Sequence, residues 1–528
     1  MRSLEGLWSV DAAMRARPVV RELDGVAPGR VYTLGQLLDA AASLAVPLCA
    51  MRETLGRPPK IGLAMRNSPE WMAADLALLF SGAVQVPVPL AFSAEQALHL
   101  LDGVDLCMVD AAGEAKVAQW FTADGADLPL SPKRMVAMDA LLATAPPPFD
   151  PPSLDPARIC KIIHTSGTTS RPKGVMIRAS GLDDLFASIR LRSTPDTYAR
   201  TLSLVPLSLL IEQVSAVYMT LISGGLLHLL PPEVPLLGEA GATVARIVAL
   251  LPQAAPSMLT LPPVVVEALL AECRRIPGET LEARCLRLFG RTTPTFIACG
   301  GAPTAPAVIA ELERFGIRVY EGYGLSENSS VVSWNSPDCH RAGTVGKPLA
   351  HVSVRLADDG ELLIRSSSLL AGYANADPSS CEIDADGWLH TGDIASIDAD
   401  GFIRVYGRKK NVIIMANGRN VSPEWVESRY KSLDQVEQAV VFGDGLEALH
   451  GFFVLTPNAD PARAEAAIRA FGERHLSEIE RVETIVIATA SAEVYRDCFT
   501  VTGRPKRDDI WRRMARTEHT LLEEPCLS

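Results

Sequence analysis

The chain has neither paired cysteines nor an excess of positive charge. Its ten cysteines form no Cys-x-x-Cys pair and no His/Cys spacing typical of a metal site, so we expect no structural zinc and a reducing, cytoplasmic location. Acidic residues outnumber basic ones by 62 to 50, which gives a net charge of −12. This balance argues against nucleic acid as a main partner.

Signals for secretion or membrane insertion are also lacking. The first residues include Asp and Arg and contain no long apolar core, so we expect no secretory signal. The most membrane-like stretch, residues 202–230, is interrupted by Pro206, Glu212 and Gly224. Buried elements of an α/β core contain such apolar runs routinely, so we expect no integral membrane segment.

Length and patterning predict an α/β protein of more than one domain. A chain of 528 residues is too long for a single hydrophobic core. Residues 60–66 alternate like a strand, Ser68-Pro69-Glu70 begins a helix that Gly82 ends, and residues 84–88 form the next apolar run. This order predicts a βαβ unit.

Two places along the chain indicate boundaries. The Pro-rich stretch 145–156 is typical of a linker between subdomains. After Gly407 the pattern restarts with shorter elements, so we place the start of a small C-terminal domain at residues 408–410.

A Gly/Ser/Thr segment closed by one lysine follows an apolar run, residues 159–163, that is typical of a buried strand. The segment is His164-Thr165-Ser166-Gly167-Thr168-Thr169-Ser170-Arg171-Pro172-Lys173-Gly174-Val175. Its glycine lets backbone N–H groups face an anion, its hydroxyls add neutral donors, and Lys173 adds positive charge. A P-loop is excluded, because Pro172 precedes the lysine and Gly174 follows it. The segment predicts a loop that holds the polyphosphate of a nucleoside triphosphate; the alternative is a plain Ser/Thr/Gly connector.

This segment resembles the phosphate-loop signature of the adenylate-forming superfamily, which includes acyl-CoA synthetases, luciferases and the adenylation domains of peptide synthetases. Further landmarks of that superfamily follow in its order. They are Gly300-Gly301-Ala302-Pro303, Gly322-Tyr323-Gly324-Leu325-Ser326-Glu327, Trp388-Leu389-His390-Thr391-Gly392-Asp393, Gly407-Arg408-Lys409-Lys410 and Asn417-Gly418-Arg419-Asn420-Val421-Ser422-Pro423. The resemblance covers the chain from about Tyr32 to Arg507.

The resemblance implies an α/β fold with two parts. A large N-terminal AMP-binding domain of several subdomains would span residues 1–407. A small, mobile α+β C-terminal domain would span residues 408–528, with its hinge at residues 408–410.

The resemblance also implies a role for each matched residue. Tyr323 would stack on adenine, Ser326 would bind the α-phosphate, and Glu327 would hold Mg²⁺. Asp393 and Arg408 would contact the ribose. The expected nucleotide-binding residues are Thr165, Ser166, Gly167, Thr168, Thr169, Gly301, Ala302, Pro303, Glu321, Gly322, Tyr323, Gly324, Ser326, Asp393 and Arg408, and the expected catalytic residues are Lys173, Glu327, Arg504 and Lys506.

Two positions after the ribose contacts have expected roles in the second half of the reaction. Lys410 would be the hinge and Gly418 would line the path of a thiol. Apart from the resemblance, Lys409 and Lys410 could both be solvated surface charges.

The C-terminal signature departs from the superfamily's pattern. Where relatives carry a Gly-Lys pair that supplies the adenylation lysine, this chain reads Thr502-Gly503-Arg504-Pro505-Lys506-Arg507. Arginine keeps the charge but has a planar, longer head group, so the exchange is not conservative. Three alternatives follow: Arg504 acts as the adenylation cation, Lys506 takes that role, or the adenylation step is slow. Ser170, where relatives usually have Gly, keeps a small side chain.

The wall of the acyl pocket is expected in residues 206–212, with Leu209 and Leu210 lining it. No Asp stands there to pair an α-ammonium, which disfavours an amino acid, and the apolar lining suits a fatty or other hydrophobic acid. The sequences of the Asn417–Pro423 loop and of the region around Arg504 look most like those of bacterial long-chain acyl-CoA synthetases. We therefore expect an acid–thiol ligase that uses ATP, Mg²⁺ and CoA. Two alternatives are loading of a carrier-protein phosphopantetheine and a degenerate ATP-binding protein with little catalysis.

Overall fold

A computed structural model describes most of the chain. The described residues are 2–24, 29–124, 132–134, 138–143, 145–165, 173–194, 196–239, 241–374, 383–416, 419–457, 459–499, 503 and 505–522.

The strands of the described residues, in chain order, are β1 (Pro18–Glu22), β2 (Val31–Thr33), β3 (Lys60–Ala64), β4 (Val84–Pro87), β5 (Leu106–Val109), β6 (Pro132–Arg134), β7 (Ile159–Thr165), β8 (Lys173–Arg178), β9 (Arg200–Ser203), β10 (Leu226–Leu229), β11 (Met258–Leu261), β12 (Phe296–Cys299), β13 (Val319–Leu325), β14 (Ser330–Trp334), β15 (Lys347–Pro348), β16 (Val352–Leu356), β17 (Glu361–Ser366), β18 (Tyr373–Ala374), β19 (Leu389–Ile397), β20 (Ile403–Arg408), β21 (Ile413–Ile414), β22 (Asn420–Val421), β23 (Val436–Phe442), β24 (Leu449–Leu455) and β25 (Val482–Thr489).

The α-helices of the same residues are α1 (Arg2–Glu5), α2 (Ala12–Arg15), α3 (Leu34–Leu55), α4 (Pro69–Ser81), α5 (Ala94–Leu101), α6 (Ala111–Asp124), α7 (Met138–Leu142), α8 (Ala179–Arg190), α9 (Leu210–Glu212), α10 (Met219–Ser223), α11 (Val244–Ala254), α12 (Pro263–Arg275), α13 (Leu281–Phe289), α14 (Pro306–Arg314), α15 (Pro423–Tyr430), α16 (Pro461–His475), α17 (Ala492–Cys498) and α18 (Arg507–Leu522). A π-helix, Gln213–Tyr218, separates α9 from α10.

Two large sheets, each mainly parallel, form the N-terminal part. The nine-stranded sheet has the order β15-β14-β13-β12-β11-β9-β10-β1-β2, and the seven-stranded sheet has the order β18-β8-β7-β4-β3-β5-β6. Antiparallel strands lie at the edges, including β14 beside β13 and β8 beside β7. A four-stranded antiparallel sheet, β16-β17-β19-β20, follows. Ligands of open α/β sheets bind beyond the carboxyl ends of parallel strands, and the phosphate segment and the Gly300–Gly301 loop follow β7 and β12 there.

The predicted βαβ unit is confirmed. The Ser68 side chain caps α4 by accepting a hydrogen bond from the Trp71 N–H, and Gly82 ends the helix with a left-handed φ of 80°. β3 and β4 then pair in parallel. β3 is buried on both faces rather than alternating, because helices cover both sides of a parallel sheet.

The helix that is long and apolar enough to span a membrane does not lie where the sequence suggests. Residues 202–230 are divided among β9, α9, the π-helix, α10 and β10. Among the described residues it is α3 that is long and apolar enough to cross a membrane, and half of its most apolar window is buried inside the protein. A core helix of this length has the same properties, so this is weak evidence for a membrane span.

The chain beyond β20 builds its own core. A three-stranded sheet, β23-β24-β25, and the short pair β21-β22 carry it, and two hydrophobic clusters there draw on residues from Ile413 to Met514. The predicted hinge residues 408–410 come at the end of β20, just before this unit. The stretch 145–156 forms no helix or strand. The domain limits drawn from the sequence stay a prediction.

Candidate nucleotide site

The segment expected to hold polyphosphate connects two paired strands. β7 and β8 are antiparallel neighbours, with Thr165 opposite Lys173 at their ends. The roles of the connecting residues stay predictions, because outside the described residues lie Ser166, Gly167, Thr168 and Thr169, and with them the side chain of Thr165.

His164 precedes this segment as a neutral side chain. Burial, with a smaller contribution from His99, lowers the pKa of its imidazole to about 4. Its Nδ1 atom is buried without a hydrogen-bond partner. A positive histidine is therefore not part of the phosphate site at neutral pH, and Lys173 is a cation at the end of the strand pair beside this segment.

Lys173 and Glu327, predicted separately from two distant motifs, meet at one aromatic ring. The Lys173 ammonium lies 4.9 Å from the centre of the Tyr373 ring. The Tyr373 hydroxyl donates a hydrogen bond of 3.0 Å to Oε1 of Glu327. The two residues are thereby held at one location, as joint binding of phosphate and Mg²⁺ requires.

Sequence reasoning missed Tyr373. It reaches the site because the two-residue strand β18 pairs with β8, which sets Tyr373 opposite Val175. No pattern around Tyr373 distinguishes it from an ordinary strand aromatic, so only the pairing of the two strands identifies it.

The two glycine-rich loops predicted on the adenine side touch each other. A Cβ atom at Gly300 would come within 3.1 Å of the Gly322 carbonyl oxygen. Gly324 is more constrained, because a Cβ atom there would lie 2.0 Å from the Ser330 carbonyl oxygen. These contacts explain why both motifs carry glycine where the backbones of β13 and its neighbours approach closely.

Glu321 contacts the end of the loop formed by residues 300–303. It lies opposite Cys299 in the pairing of β12 with β13. Burial raises the pKa of its carboxyl group to about 7, and a hydrogen bond from the Thr304 backbone opposes the rise. The exposed residues Ala302 and Pro303 precede Thr304, so Glu321 fixes the end of the loop that the sequence assigned to adenine.

Three predicted nucleotide contacts form one hydrogen-bonded group. The Tyr323 hydroxyl donates to Oδ2 of Asp393, and Nε of Arg408 lies 2.9 Å from Oδ1 of the same carboxylate. Arg408 also donates to the Thr391 carbonyl oxygen at 3.0 Å. The pairing of β19 with β20 places Asp393 opposite Arg408. The structure thus brings together residues of two sheets, whereas the sequence predicted each residue from a separate motif.

Asp393 is the enclosed member of this group, whereas the Arg408 side chain is 43% exposed. Asp393 is 4% exposed, and burial followed by the adjacent Asp393 charge raises the pKa of Tyr323 well above its usual value. Tyr323 is therefore a neutral donor in this group. Ser326, in the turn Ser326–Asn328 that follows β13, is half-buried.

The predicted acyl wall begins at the start of a short helix. Leu209 is the N-cap residue of α9 and is partly exposed, while Leu210 is buried. The π-helix follows at once, and such helices are frequent at functional sites. Gln213, its first residue, is fully buried and donates through Nε2 to the Leu207 carbonyl oxygen at 2.8 Å.

A buried carboxylate, Glu212, lies beside this wall. Its Oε1 accepts hydrogen bonds from Ser203 Oγ at 2.6 Å and from the Leu204 N–H at 3.0 Å. Burial raises its pKa to about 7. Because local donors already occupy Glu212, the wall does not present a spare carboxylate for an α-ammonium.

Of the predicted C-terminal cations, Lys506 is bonded within its own unit. Lys506 donates through Nζ to the Arg496 carbonyl oxygen at 2.8 Å, within the C-terminal unit. Lys410 lies in the turn Lys409–Asn411. Arg504 and Gly418 fall outside the described residues, so their roles stay predictions.

The donor set fits a magnesium ion that arrives with its substrate. No group of three or more His, Cys, Asp or Glu side chains in the described part of the chain could hold a metal ion. Glu327 offers a single hard carboxylate. Mg²⁺ in phosphate-transferring sites is commonly held by one or two carboxylates plus phosphate oxygens and water, which suits this arrangement.

Comparison with known proteins identifies the family of the chain. The family model of AMP-binding enzymes matches residues 10–374. The chain is 31% identical over 437 residues to the long-chain-fatty-acid–CoA ligase FadD15 of Mycobacterium bovis, covering 74% of this chain and 72% of the relative. It is 28% identical to a methyl-dioxo-octahydro-indenyl propanoyl:CoA ligase of Mycobacterium tuberculosis, covering 87% and 90%.

Solved structures share the fold. The anthranilate CoA ligase AuaEII, in complex with anthranoyl-AMP, superposes with a TM-score of 0.80 at 19% identity and covers 97% of this chain and 96% of its own. A benzoate CoA ligase from Burkholderia xenovorans gives a TM-score of 0.76 at 19% identity, with coverage of 96% and 99%. The predicted α/β fold, with a large N-terminal and a small C-terminal part, is confirmed. The chain belongs to the AMP-binding enzyme family and is an acid–thiol ligase of the AMP-forming acyl-CoA synthetase type.

Proposed function

We propose that this enzyme activates a hydrophobic carboxylic acid of the fatty class as an acyl adenylate and passes the acyl group to CoA. The observation that carries the proposal is the meeting of Lys173 and Glu327 at Tyr373. It provides one cation and one carboxylate at the position where phosphate would lie. The fatty-acid–CoA ligases among the relatives support the choice of acid.

In the first step, a carboxylate oxygen of the acid attacks the α-phosphorus of ATP. The bond from that phosphorus to the bridging oxygen breaks, and pyrophosphate leaves with the electron pair. Such a transfer depends on neutralising charge more than on acid or base groups. Lys173 and the loop before it would bind the phosphates. Mg²⁺, held by Glu327, would neutralise further negative charge on the phosphates.

Nucleotide orientation would depend on the second group of residues. Asp393 and Arg408 would hold the ribose, and the ring of Tyr323 would stack on the base. The enclosure of Asp393, which is 4% exposed, would keep water away from the adenylate and limit its hydrolysis.

In the second step, the thiol loses its proton and its sulfur attacks the acyl carbonyl carbon. The bond from that carbon to the phosphate oxygen breaks, and AMP leaves with the electron pair. We propose that the unit beyond residue 408 turns about Lys410 between the two steps, with Gly418 giving clearance for the pantetheine arm. The cysteines of the described residues are all free thiols, which supports our proposal of a reducing, cytoplasmic location.

The acid is proposed from the wall around Leu209 and Leu210. Leu210 is buried and Glu212 is already bonded to Ser203 and Leu204. An apolar wall without a spare charge favours an uncharged alkyl or ring system over an amino acid.

The test is acid-dependent ATP–pyrophosphate exchange over fatty, aryl and amino acids, followed by thioester detection with CoA and with a phosphopantetheine carrier protein. We expect exchange with a hydrophobic acid and a thioester with CoA. Lys173→Met should lower exchange by about 100-fold or more. Lys347→Met is the matched control, because Lys347 also lies over an aromatic ring, 4.8 Å from the centre of Phe402, but away from this group.

Three results would redirect the proposal. Exchange with amino acids alone would reject the hydrophobic acid. Thioester formation on the carrier but not on CoA would replace the acceptor. Binding of ATP without exchange for any acid would indicate a degenerate nucleotide-binding protein.

A further inference from the structure

Glu361 is a buried carboxylate that collects donors from two separate segments. It begins β17 and is 3% exposed. Its Oε1 accepts a hydrogen bond of 2.8 Å from the Gly392 N–H, and its Oε2 lies 3.0 Å from the Lys409 ammonium. His390 Nδ1 approaches Oε2 at 3.4 Å. The Glu361 carboxylate therefore contacts the segment of His390 and Gly392 as well as Lys409.

Both segments belong to the proposed ribose site or adjoin it. Gly392 directly precedes Asp393 and takes a left-handed φ of 68°. Lys409 directly follows Arg408, which is bonded to Asp393 and to the Thr391 carbonyl oxygen. At the start of the predicted hinge, Arg408 is thus bonded directly to the turn of residues 391–393, and Lys409 is linked to that turn through Glu361.

Lys409 is held by a second carboxylate as well. Its ammonium lies 2.6 Å from Oδ2 of Asp359. Asp359 is about half exposed and Glu361 is nearly fully enclosed. The Lys409 side chain is still about half exposed, so it is a surface charge that is paired with two carboxylates.

We infer that Glu361 is a positioning residue that joins the ribose-binding turn to the hinge through Lys409. The inference rests on the proposed function, since it takes Asp393 and Arg408 as the ribose contacts. Glu361 would fix the backbone on the N-terminal side of Asp393, and Lys409 would fix Arg408 on the other side of the ribose. Any rotation of the C-terminal unit would then begin after Lys409.

The inference predicts a defect that is specific for the ribose hydroxyls. Glu361→Gln keeps an oxygen for the Gly392 N–H but loses the charge that holds Lys409. Lys409→Met leaves the Glu361 carboxylate enclosed with fewer donors. Both changes would let Asp393 and Arg408 move apart, so they would weaken the contacts of the ribose more than those of the base or the phosphates.

The experiment measures binding of ATP and of 2′,3′-dideoxy-ATP to the full-length protein by calorimetry, with thermal unfolding to verify that each variant is folded. We expect the parent to prefer ATP. Glu361→Gln and Lys409→Met should each reduce that preference by about fivefold or more. Lys409→Arg should restore most of it, and Lys347→Met should leave it unchanged.

The outcomes separate this inference from the proposed function. If the parent binds neither nucleotide, both are wrong. If the parent discriminates and both variants keep its ratio of affinities, Glu361 only stabilises the fold and the inference alone is wrong. A lower melting temperature with an unchanged ratio has the same meaning.

Discussion

The hydroxyl of Tyr323 and the carboxylate of Asp393 are bound to each other, although they are 70 residues apart in the chain. Asp393 is also paired with Arg408, so both of its oxygens are engaged. Each carboxylate oxygen has two lone pairs, so a ribose hydroxyl that binds Asp393 either shares an oxygen with one of these donors or takes the place of one. The Tyr323 hydroxyl is the one to exchange, because the Arg408 charge pair is the stronger contact.

Substitutions of Tyr323 would separate its hydroxyl from its ring. We expect Tyr323→Phe to change the KM for ATP by about fivefold or less, because one neutral hydrogen bond is exchanged for another. Tyr323→Ala should raise the KM about 5- to 150-fold, because stacking of a base on an aromatic ring contributes about 1–3 kcal/mol. Both values come from acid-dependent pyrophosphate exchange. Equal losses in the two variants would contradict stacking on this ring.

Substitutions of Tyr373 would test the contact between Lys173 and Glu327. Tyr373→Phe keeps the ring next to Lys173 and removes the donor to Glu327. We expect the Mg²⁺ concentration for half-maximal exchange to rise about fivefold, as for the loss of one hydrogen bond, with little change in the KM for the acid. Tyr373→Leu should lower the rate further. An unchanged Mg²⁺ dependence in both variants would show that Glu327 does not need this hydroxyl.

Local chemistry made part of the fold predictable. Ser68 and Gly82 carry the capping oxygen and the left-handed φ that begin and end a helix, and such signals act within a few residues. The apolar run 159–163 likewise became the buried strand β7. The motifs also nominated Tyr323, Asp393 and Arg408 through the resemblance.

The remaining features depend on which strands become neighbours. Tyr373 reaches Glu327 through the pairing of β18 with β8. Glu361 reaches Gly392 because β17 lies beside β19. Neither relationship leaves a pattern along the chain, since partners so far apart in sequence are brought together only by the completed sheets.

The choice between Arg504 and Lys506 has an expected answer. Lys506 is bonded within its own unit, through Nζ to the Arg496 carbonyl oxygen and through its N–H to the Cys498 carbonyl oxygen. We therefore expect Arg504→Ala to lower pyrophosphate exchange by about 100-fold, in the range for loss of one charge-stabilising donor. Lys506→Ala should keep most of the activity. The reverse ranking would assign adenylation to Lys506.

These two variants need a second measurement. Thioester formation from a preformed acyl adenylate, measured with CoA, should be normal in Arg504→Ala if Arg504 acts in the first step alone. Loss of both half-reactions would indicate damage to the C-terminal unit rather than a missing cation.

A buried ion pair stabilises the strand that leads to the phosphate segment. Lys161 on β7 and Asp75 on α4 are both fully buried and paired, and Asp75 also accepts a hydrogen bond of 2.6 Å from the Tyr218 hydroxyl. Lys161→Met would leave the Asp75 charge enclosed without its cation. We expect a loss of about 3–5 kcal/mol in the free energy of unfolding, measured with urea.

An exposed pair provides the control for Lys161. Arg57 binds Asp105 through two hydrogen bonds of 2.8 and 2.6 Å, but its side chain is half exposed. Arg57→Ala should cost about 1 kcal/mol or less. If the two variants lose equal free energy of unfolding, burial of the Lys161 pair does not increase the cost of breaking it.

Glu212 should make the stability of the protein depend on pH. Burial raises its pKa from 4.5 to about 7, so the folded state binds this proton more tightly than the unfolded chain. The resulting stabilisation is complete below pH 4.5 and is lost as the pH rises through 7. At about 1.4 kcal/mol for each pH unit between the two pKa values, roughly 3 kcal/mol is lost. A Glu212→Gln variant tests this dependence, because glutamine does not titrate and keeps an oxygen for Ser203 and Leu204. The parent should lose about this much free energy of unfolding, relative to the variant, as the pH rises from 4.5 to 8. Glu465→Gln, on the exposed face of α16, should show no such trend, and a pH-independent difference for Glu212→Gln would mean that Glu212 is charged throughout this range.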